Sequence, residues 1–152
     1  MARTRHLPIW RTAFDLAAHL ERSVARFSRA HKYALGSELR QTSRRLCRLV
    51  TRANAARAEQ RAKVLDELVL AVEDMKTLLM LAQEVHAFAS FHEFAGATEL
   101  TVSLGRQSRG AGNRIFRAQV AADQGWAEAT VTEQAGWRRA RTEASSQVEG
   151  PG

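Results

Sequence analysis

The feature that most constrains this fold is the segment 38–54, where two helical patterns are superimposed. It reads ELRQTSRRLCRLVTRAN, and arginine recurs every fourth residue at Arg40, Arg44, Arg48 and Arg52. Because an α-helix turns about 100° per residue, this spacing predicts a stripe of guanidinium groups along one side. The opposite side carries the apolar residues Leu35, Leu39, Leu46, Leu49, Val50 and Ala53 at helical spacing. The segment therefore predicts an amphipathic helix that packs on its apolar face and presents arginines outward.

The same apolar period predicts three more helices around this one. The four predicted helices are about 8–27, 32–55, 57–88 and a last one that opens at SFHE and fades in GRQSRGAGN, at 105–113. Ser90 and Glu93 have the spacing of a capping box at the start of the last helix. The segment SRAHK is predicted to be a short turn. No segment has the alternation or the turn residues of a β-hairpin.

These elements predict an all-α fold, an antiparallel up-down four-helix bundle over residues 8–110. Residues 111–152 are rich in glycine, and their apolar residues are scattered. We therefore predict a flexible, disordered C-terminal tail, with a short helix at 128–141 as the alternative.

Two details of the predicted helices bear on packing. Apolar residues of the third helix, such as Leu78, Leu79 and Leu81, point in several directions, so this helix is either central in the bundle or shared with another subunit.

Gly36 lies inside the second helix, where glycine costs about 1 kcal/mol relative to alanine. Close packing against the first helix is the expected reason for it.

Composition places the chain among globular proteins rather than membrane proteins. Of its 152 residues, 45% are hydrophobic, which is enough for one domain with its own core. No apolar run reaches the length of a membrane span, and the segment MARTRHLPIW lacks the apolar core of a signal peptide. A cytoplasmic location is the expectation.

The single cysteine, Cys47, excludes an internal disulfide and is predicted to be a structural thiol.

Charge is segregated along the chain. Residues 1–63 contain 15 Lys or Arg and 4 Asp or Glu, whereas residues 64–111 contain 3 and 7. A surface that only confers solubility mixes both signs, whereas a surface for nucleic acid or an acidic protein concentrates positive charge. The pattern favours a basic binding surface.

The residue spacings that catalysis requires are missing, so we predict a protein that is not an enzyme and has no cofactor or metal. The five histidines include no helical zinc-protease pair, and GRQSRGAG lacks the ending of a phosphate-binding loop. The enzymatic alternative would use His86, His92 and Glu93, and stoichiometric zinc or iron in the purified protein would support it.

The predicted binding site consists of the basic residues of the second helix and of the turns on either side of it. Guanidinium groups pair well with phosphate oxygens, and the sequence has no signature for reading bases, so sequence-independent phosphate binding is expected. The candidate residues are Arg26, Arg29, Lys32, Arg40, Arg44, Arg45, Arg48, Arg52, Arg57 and Arg61.

About two thirds of the chain, roughly residues 8–108, resembles the accessory variability (Avd) proteins of diversity-generating retroelements. The similarity lies in an aromatic and acidic first helix, in the step Lys32, Tyr33, Leu35 and Gly36 into the second helix, and in Asn54 near the next turn. The segment LDELVLAVEDMKTLLMLAQEVHAF is similar to the leucine-rich third helix of that family. The four-helix-bundle proteins of ribosomal RNA intervening sequences share part of this pattern.

The resemblance implies a basic homopentamer that binds a reverse transcriptase together with RNA or DNA and supports mutagenic reverse transcription. The alternative is a structural or protein-interaction bundle, such as a ribosomal RNA intervening-sequence protein, in which the basic half of one subunit docks on the acidic half of its neighbour. Unlike surfaces that meet head to tail can close into a ring.

Overall fold

A computed structural model of the chain describes residues 7–114, together with Ala121 and Arg139. The predicted all-α class is confirmed for these residues, which include no strand. Their five helices are α1 (Pro8–Ala25), α2 (Arg29–Lys32), α3 (Leu35–Ala55), α4 (Ala58–Glu84) and α5 (91–114). All five lie in the first of the two units into which the chain divides, Met1–Ile115 and Phe116–Gly152.

The segment predicted to be a simple turn after α1 forms the single-turn helix α2. The backbone then leaves helical geometry at Ala34, whose φ is −100° and ψ is −91°. As a result α3 begins at Leu35, three residues later than predicted, whereas its end at Ala55 agrees with the prediction.

Gly36 lies where α3 begins and passes close to α1. A Cβ atom at this position would lie 2.6 Å from Cγ1 of Val24 and 3.3 Å from the carbonyl oxygen of His31. Both distances are too short for a carbon at van der Waals contact, so only glycine fits without a shift of its neighbours. The expected close packing against the first helix is confirmed.

The helix α4, with 27 residues, is the longest of the helices whose two ends are described, as predicted. Its inner side, including Leu68, Met75 and Leu79, is buried. Leu70 and Met80 are about 68% and 70% exposed. The wide apolar arc of this helix therefore extends beyond the core and leaves an apolar outer side.

The start of α5 was predicted correctly, but its extent was not. The Ser90 hydroxyl accepts a hydrogen bond from the backbone N–H of Glu93, at 3.3 Å, as a helix cap does. The segment GRQSRGAGN, predicted to fade, is helical, and the helix continues to residue 114. Gly105 packs closely against Val72 of α4, and Ser108 is fully buried. Packing on α4 thus outweighs the low helix propensity of the glycines.

The four long helices contribute to one core, in which Leu20, Leu46, Leu68 and Leu104 are fully buried. The turn after α1 and the turn after α4 lie at the same end, because the rings of Phe27 and Phe88 meet edge to face with centroids 5.1 Å apart. Within the described part of the chain, no helix has the length and apolar character to cross a membrane. The rest of the predicted tail, with the helix at 128–141, lies outside the described residues except Ala121 and Arg139.

Candidate nucleic-acid interface

The arginine stripe of α3 drifts around the helix, so that its beginning borders α1 and its end borders α4. At its beginning, Arg40 and Arg44 both pair with Glu21 of α1. The Nε atom of Arg40 lies 3.0 Å from Oε2 of Glu21, and Nη2 of Arg44 donates to Oε1 at 2.6 Å. Arg40 also donates to the backbone carbonyl of Glu21, at 3.2 Å. These two arginines tie α3 to α1 and have much of their donor capacity occupied.

The middle of the stripe faces outward. Arg45 and Arg48 are exposed. Neither takes part in an ion pair or side-chain hydrogen bond found among residues 7–114. Arg52 is exposed as well, and its Nη1 atom lies 3.9 Å from a carboxylate oxygen of Glu67 on α4, which is the limit of an ion pair. We call Arg45, Arg48 and Arg52 the α3 basic face.

The groove between the end of α3 and the start of α4 adjoins this face. It has a volume of about 430 Å³ and is lined by Arg52, Gln60, Lys63, Val64 and Glu67, together with the alanines of the turn. Arg57, in the same turn, is exposed. The groove therefore continues the positive surface of α3 onto the first turns of α4.

Arg61 was also predicted to be a binding residue, but its side chain donates hydrogen bonds within the fold. Its Nε and Nη2 atoms donate to the carbonyl oxygens of Ala53 and Ala56, both at 3.0 Å. The last carbonyls of a helix have no partner within the helix, and charged donors satisfy them well. Arg61 therefore fixes the end of α3 and is only half exposed.

The predicted binding residues between α1 and α3 also differ in whether they are paired within the fold. Arg26 forms an ion pair with the carboxylate of Glu93, a residue that is buried at the start of α5. Arg29 is exposed and Lys32 is half exposed. The sequence pattern did not identify Glu93 as a buried partner, because the contact joins residues far apart in the chain.

Next to that ion pair lies His19, whose Nε2 atom is 2.7 Å from the backbone carbonyl oxygen of Glu93. Burial, followed by the positive charges of Arg22, His92 and Arg26, lowers the pKa of His19. The lowered pKa favours a neutral ring that donates to the carbonyl through its Nε2–H group. The contacts of His19 and Arg26 with Glu93 join α1 and the turn after it to α5, which is a structural role.

One further group with possible chemistry among the described residues is the thiol of Cys47. Cys47 is buried, its Sγ atom lies 3.4 Å from the carbonyl oxygen of Ala13, and burial raises its pKa to about 11. The buried thiol is therefore protonated near neutral pH, which agrees with the predicted structural role. Among residues 7–114, Ala121 and Arg139, no group of three or more His, Cys, Asp or Glu residues is placed to hold a metal ion.

The charge segregation seen in the sequence is also present on the surface of the described helices. Exposed carboxylates of α4 include Asp66, Glu67, Glu73, Asp74 and Glu84. The exposed residues of α3 from Arg44 to Arg52 include four arginines and no acid. The molecule thus offers a basic face on α3 and an acidic, partly apolar face on α4.

Comparison of the sequence with protein-family models gives no match, and comparison with curated proteins gives no significant one.

Proposed function

We propose that this protein is a non-enzymatic accessory protein of a diversity-generating retroelement. It binds the reverse transcriptase of the element and RNA or complementary DNA through the α3 basic face, and so supports mutagenic reverse transcription. Its four long helices form an antiparallel up-down bundle, and the protein acts as a homopentamer. The retroelement, the polymerase and the pentamer come from the sequence resemblance, whereas the basic face comes from the residues themselves.

The observation that carries the nucleic-acid part of the proposal is the exposure of Arg45 and Arg48. Arg40 and Arg44 of the same helix are paired with Glu21, whereas Arg45 and Arg48 take part in no ion pair found among residues 7–114. Exposed guanidinium groups without a carboxylate partner bind phosphate oxygens and release condensed counterions.

The test compares two double variants with the same loss of charge. Arg45→Gln/Arg48→Gln removes the centre of the α3 basic face, and the control Arg106→Gln/Arg109→Gln removes two charges from α5. Binding to a fluorescently labelled single-stranded RNA is measured by anisotropy at several salt concentrations. The slope of log affinity against log salt is negative, and each phosphate contact with a single strand contributes about 0.7 to its magnitude. The first variant should therefore reduce the magnitude of the slope by about 1.4.

The control variant should leave that slope close to the wild-type value. Equal losses in both variants would show that net charge matters and the α3 basic face does not. A wild-type protein that binds no RNA even at low salt would overturn the proposal. The retroelement assignment has its own check, which is a reverse-transcriptase gene beside the gene for this chain.

A second candidate function is a structural or protein-interaction bundle, and the outer side of α4 favours it. Leu70 and Leu81, 68% and 49% exposed, lie on this side together with the exposed carboxylates of Asp66 and Asp74. An apolar surface with acidic neighbours complements the α3 basic face of a second copy.

Light scattering after size-exclusion chromatography gives the mass of the assembly, which is five subunits under the main proposal. Leu70→Gln/Leu81→Gln should lower that mass if α4 forms the contact between subunits. If the assembled protein still binds RNA, its basic face is free and the accessory function is favoured. If the intact assembly ignores RNA while a dissociated variant binds it, the basic face is buried between subunits and the structural function is favoured.

A further inference from the structure

The turn between α1 and α3 exposes an aromatic side chain in a purely cationic segment. Tyr33 is 74% exposed, whereas Phe27 and Phe88 at the same end of the fold are 5% and 9% exposed. A tyrosine ring turned into solvent leaves its face available to a partner.

The charged residues of the segment that contains Tyr33, 22–37, are all basic. Residues 22–37 contain four Lys or Arg and no Asp or Glu. Of these four, Arg26 is paired with Glu93, but Arg29 and Lys32 take part in no ion pair found in the described part of the chain. The nearest acids along the chain are Glu21, which Arg40 and Arg44 hold, and Glu38.

The backbone places Tyr33 and one of these cations on the same side of a single helical turn. Tyr33 is the C-terminal cap of α2 and has right-handed helical geometry, with φ −92° and ψ −12°. Arg29 precedes it by four residues, and side chains four apart in a helix are neighbours. The ring and the guanidinium group therefore lie on one side of this turn, and Lys32 is the residue next to Tyr33 along the chain.

We propose that this turn binds single-stranded nucleic acid, with an unpaired base stacked on Tyr33 and its flanking phosphates on Arg29 and Lys32. Proteins that bind single strands without sequence preference combine aromatic rings for the bases with cations for the backbone. A duplex does not fit this arrangement, because its bases are already stacked and paired. This inference rests on the proposed function and narrows its ligand to strands with unpaired bases.

The test separates stacking from phosphate binding. The probes are a twelve-nucleotide oligo(dA), an abasic strand with the same number of phosphates, and a duplex of the same length. A stacked base contributes about a 5- to 150-fold gain in affinity, so Tyr33→Ala should weaken oligo(dA) binding by that factor. Tyr33→Phe keeps the ring and should bind oligo(dA) within about twofold of the wild type.

Phe91 supplies a matched control. Its ring is 70% exposed at the same end of the fold, but residues 85–97 contain no Lys or Arg. Phe91→Ala should therefore leave oligo(dA) binding unchanged. None of the variants should change the affinity for the abasic strand or for the duplex. Because Tyr33 and Phe91 contribute little to the core, circular dichroism should show intact helices in each variant.

A direct readout is available, since Tyr33 is the single tyrosine of the chain. Protein labelled with 3-fluorotyrosine gives one ¹⁹F resonance, which should shift upfield with oligo(dA) and stay in place with the abasic strand. An unchanged resonance, or equal losses from Tyr33→Ala and Phe91→Ala, would overturn the inference. If the wild type binds oligo(dA) and the abasic strand with equal affinity, the inference that a base stacks on Tyr33 is overturned, whereas the proposed nucleic-acid binding stands. If it binds neither strand at low salt, the proposed function fails as well.

Discussion

Replacing Gly36 with alanine should destabilise the protein although alanine is the better helix former. In an unobstructed helix the change would be worth up to about 1 kcal/mol in favour of folding. Here the new methyl group would lie 2.6 Å from Cγ1 of Val24 and 3.3 Å from the backbone oxygen of His31. Val24 is fully buried and β-branched, so it has little rotamer freedom with which to move away.

The magnitude follows from these two opposing terms. Overpacking a core costs about 1–3 kcal/mol, and the propensity gain near the start of a helix offsets only part of it. We expect Gly36→Ala to lower the free energy of unfolding by about 1–2 kcal/mol. Gly110 is the matched control, since a Cβ atom there would meet nothing within 4 Å. Gly110→Ala should raise the free energy of unfolding by up to about 1 kcal/mol.

The assay is urea denaturation followed by circular dichroism, at one protein concentration because self-association alters apparent stability. Val24→Ala removes the atom that the new methyl group would contact. The double variant Val24→Ala/Gly36→Ala should therefore be more stable than the sum of the single effects predicts, by about 1–2 kcal/mol. Additive effects, or a Gly36→Ala variant as stable as Gly110→Ala, would refute the argument that close packing of α1 and α3 requires glycine.

Three further predictions concern individual side chains. Arg61→Gln should lower the free energy of unfolding by about 1–3 kcal/mol in urea denaturation, because it removes charged donors to the last carbonyls of α3. The exposed Arg57→Gln should change it by less than about 0.5 kcal/mol, and equal effects would contradict a structural role for Arg61. The pKa of His19 is lowered by burial first and then by nearby cations. The unfolded chain therefore binds a proton more readily, so stability from this group is complete above the unfolded pKa and falls with pH below about 6.5. His19→Gln should weaken this dependence between pH 7 and 5, and an unchanged profile would exclude His19 as its source. Cys47 should resist alkylation at pH 8 in the folded protein and react on unfolding, because a pKa of about 11 leaves about one thiol in a thousand ionised. Rapid labelling of the native protein would show that the thiol is accessible.

The sequence predicted the helices wherever a regular apolar period dominated. The end of α3 near Asn54 is a consequence of local pattern and agrees with the structure. Helix α4, predicted to extend to residue 88, ends at Glu84, because the chain turns at His86, whose φ is 53°. Helix α2 and the final turns of α5 were not predicted. A single turn leaves no periodic signal, and the packing of Gly105 against Val72 is a contact between residues far apart in the chain.

The candidate site shows the same division. The sequence alone determined that the arginines from Arg40 to Arg52 share one side of a helix, because their spacing is an arithmetic property of the helical turn. Only the tertiary structure decided which of them remain available. Glu21 lies on α1 and occupies Arg40 and Arg44, whereas Arg48 faces solvent. Pairing of this kind depends on how neighbouring helices are placed, and periodicity within one helix carries no information about its neighbours.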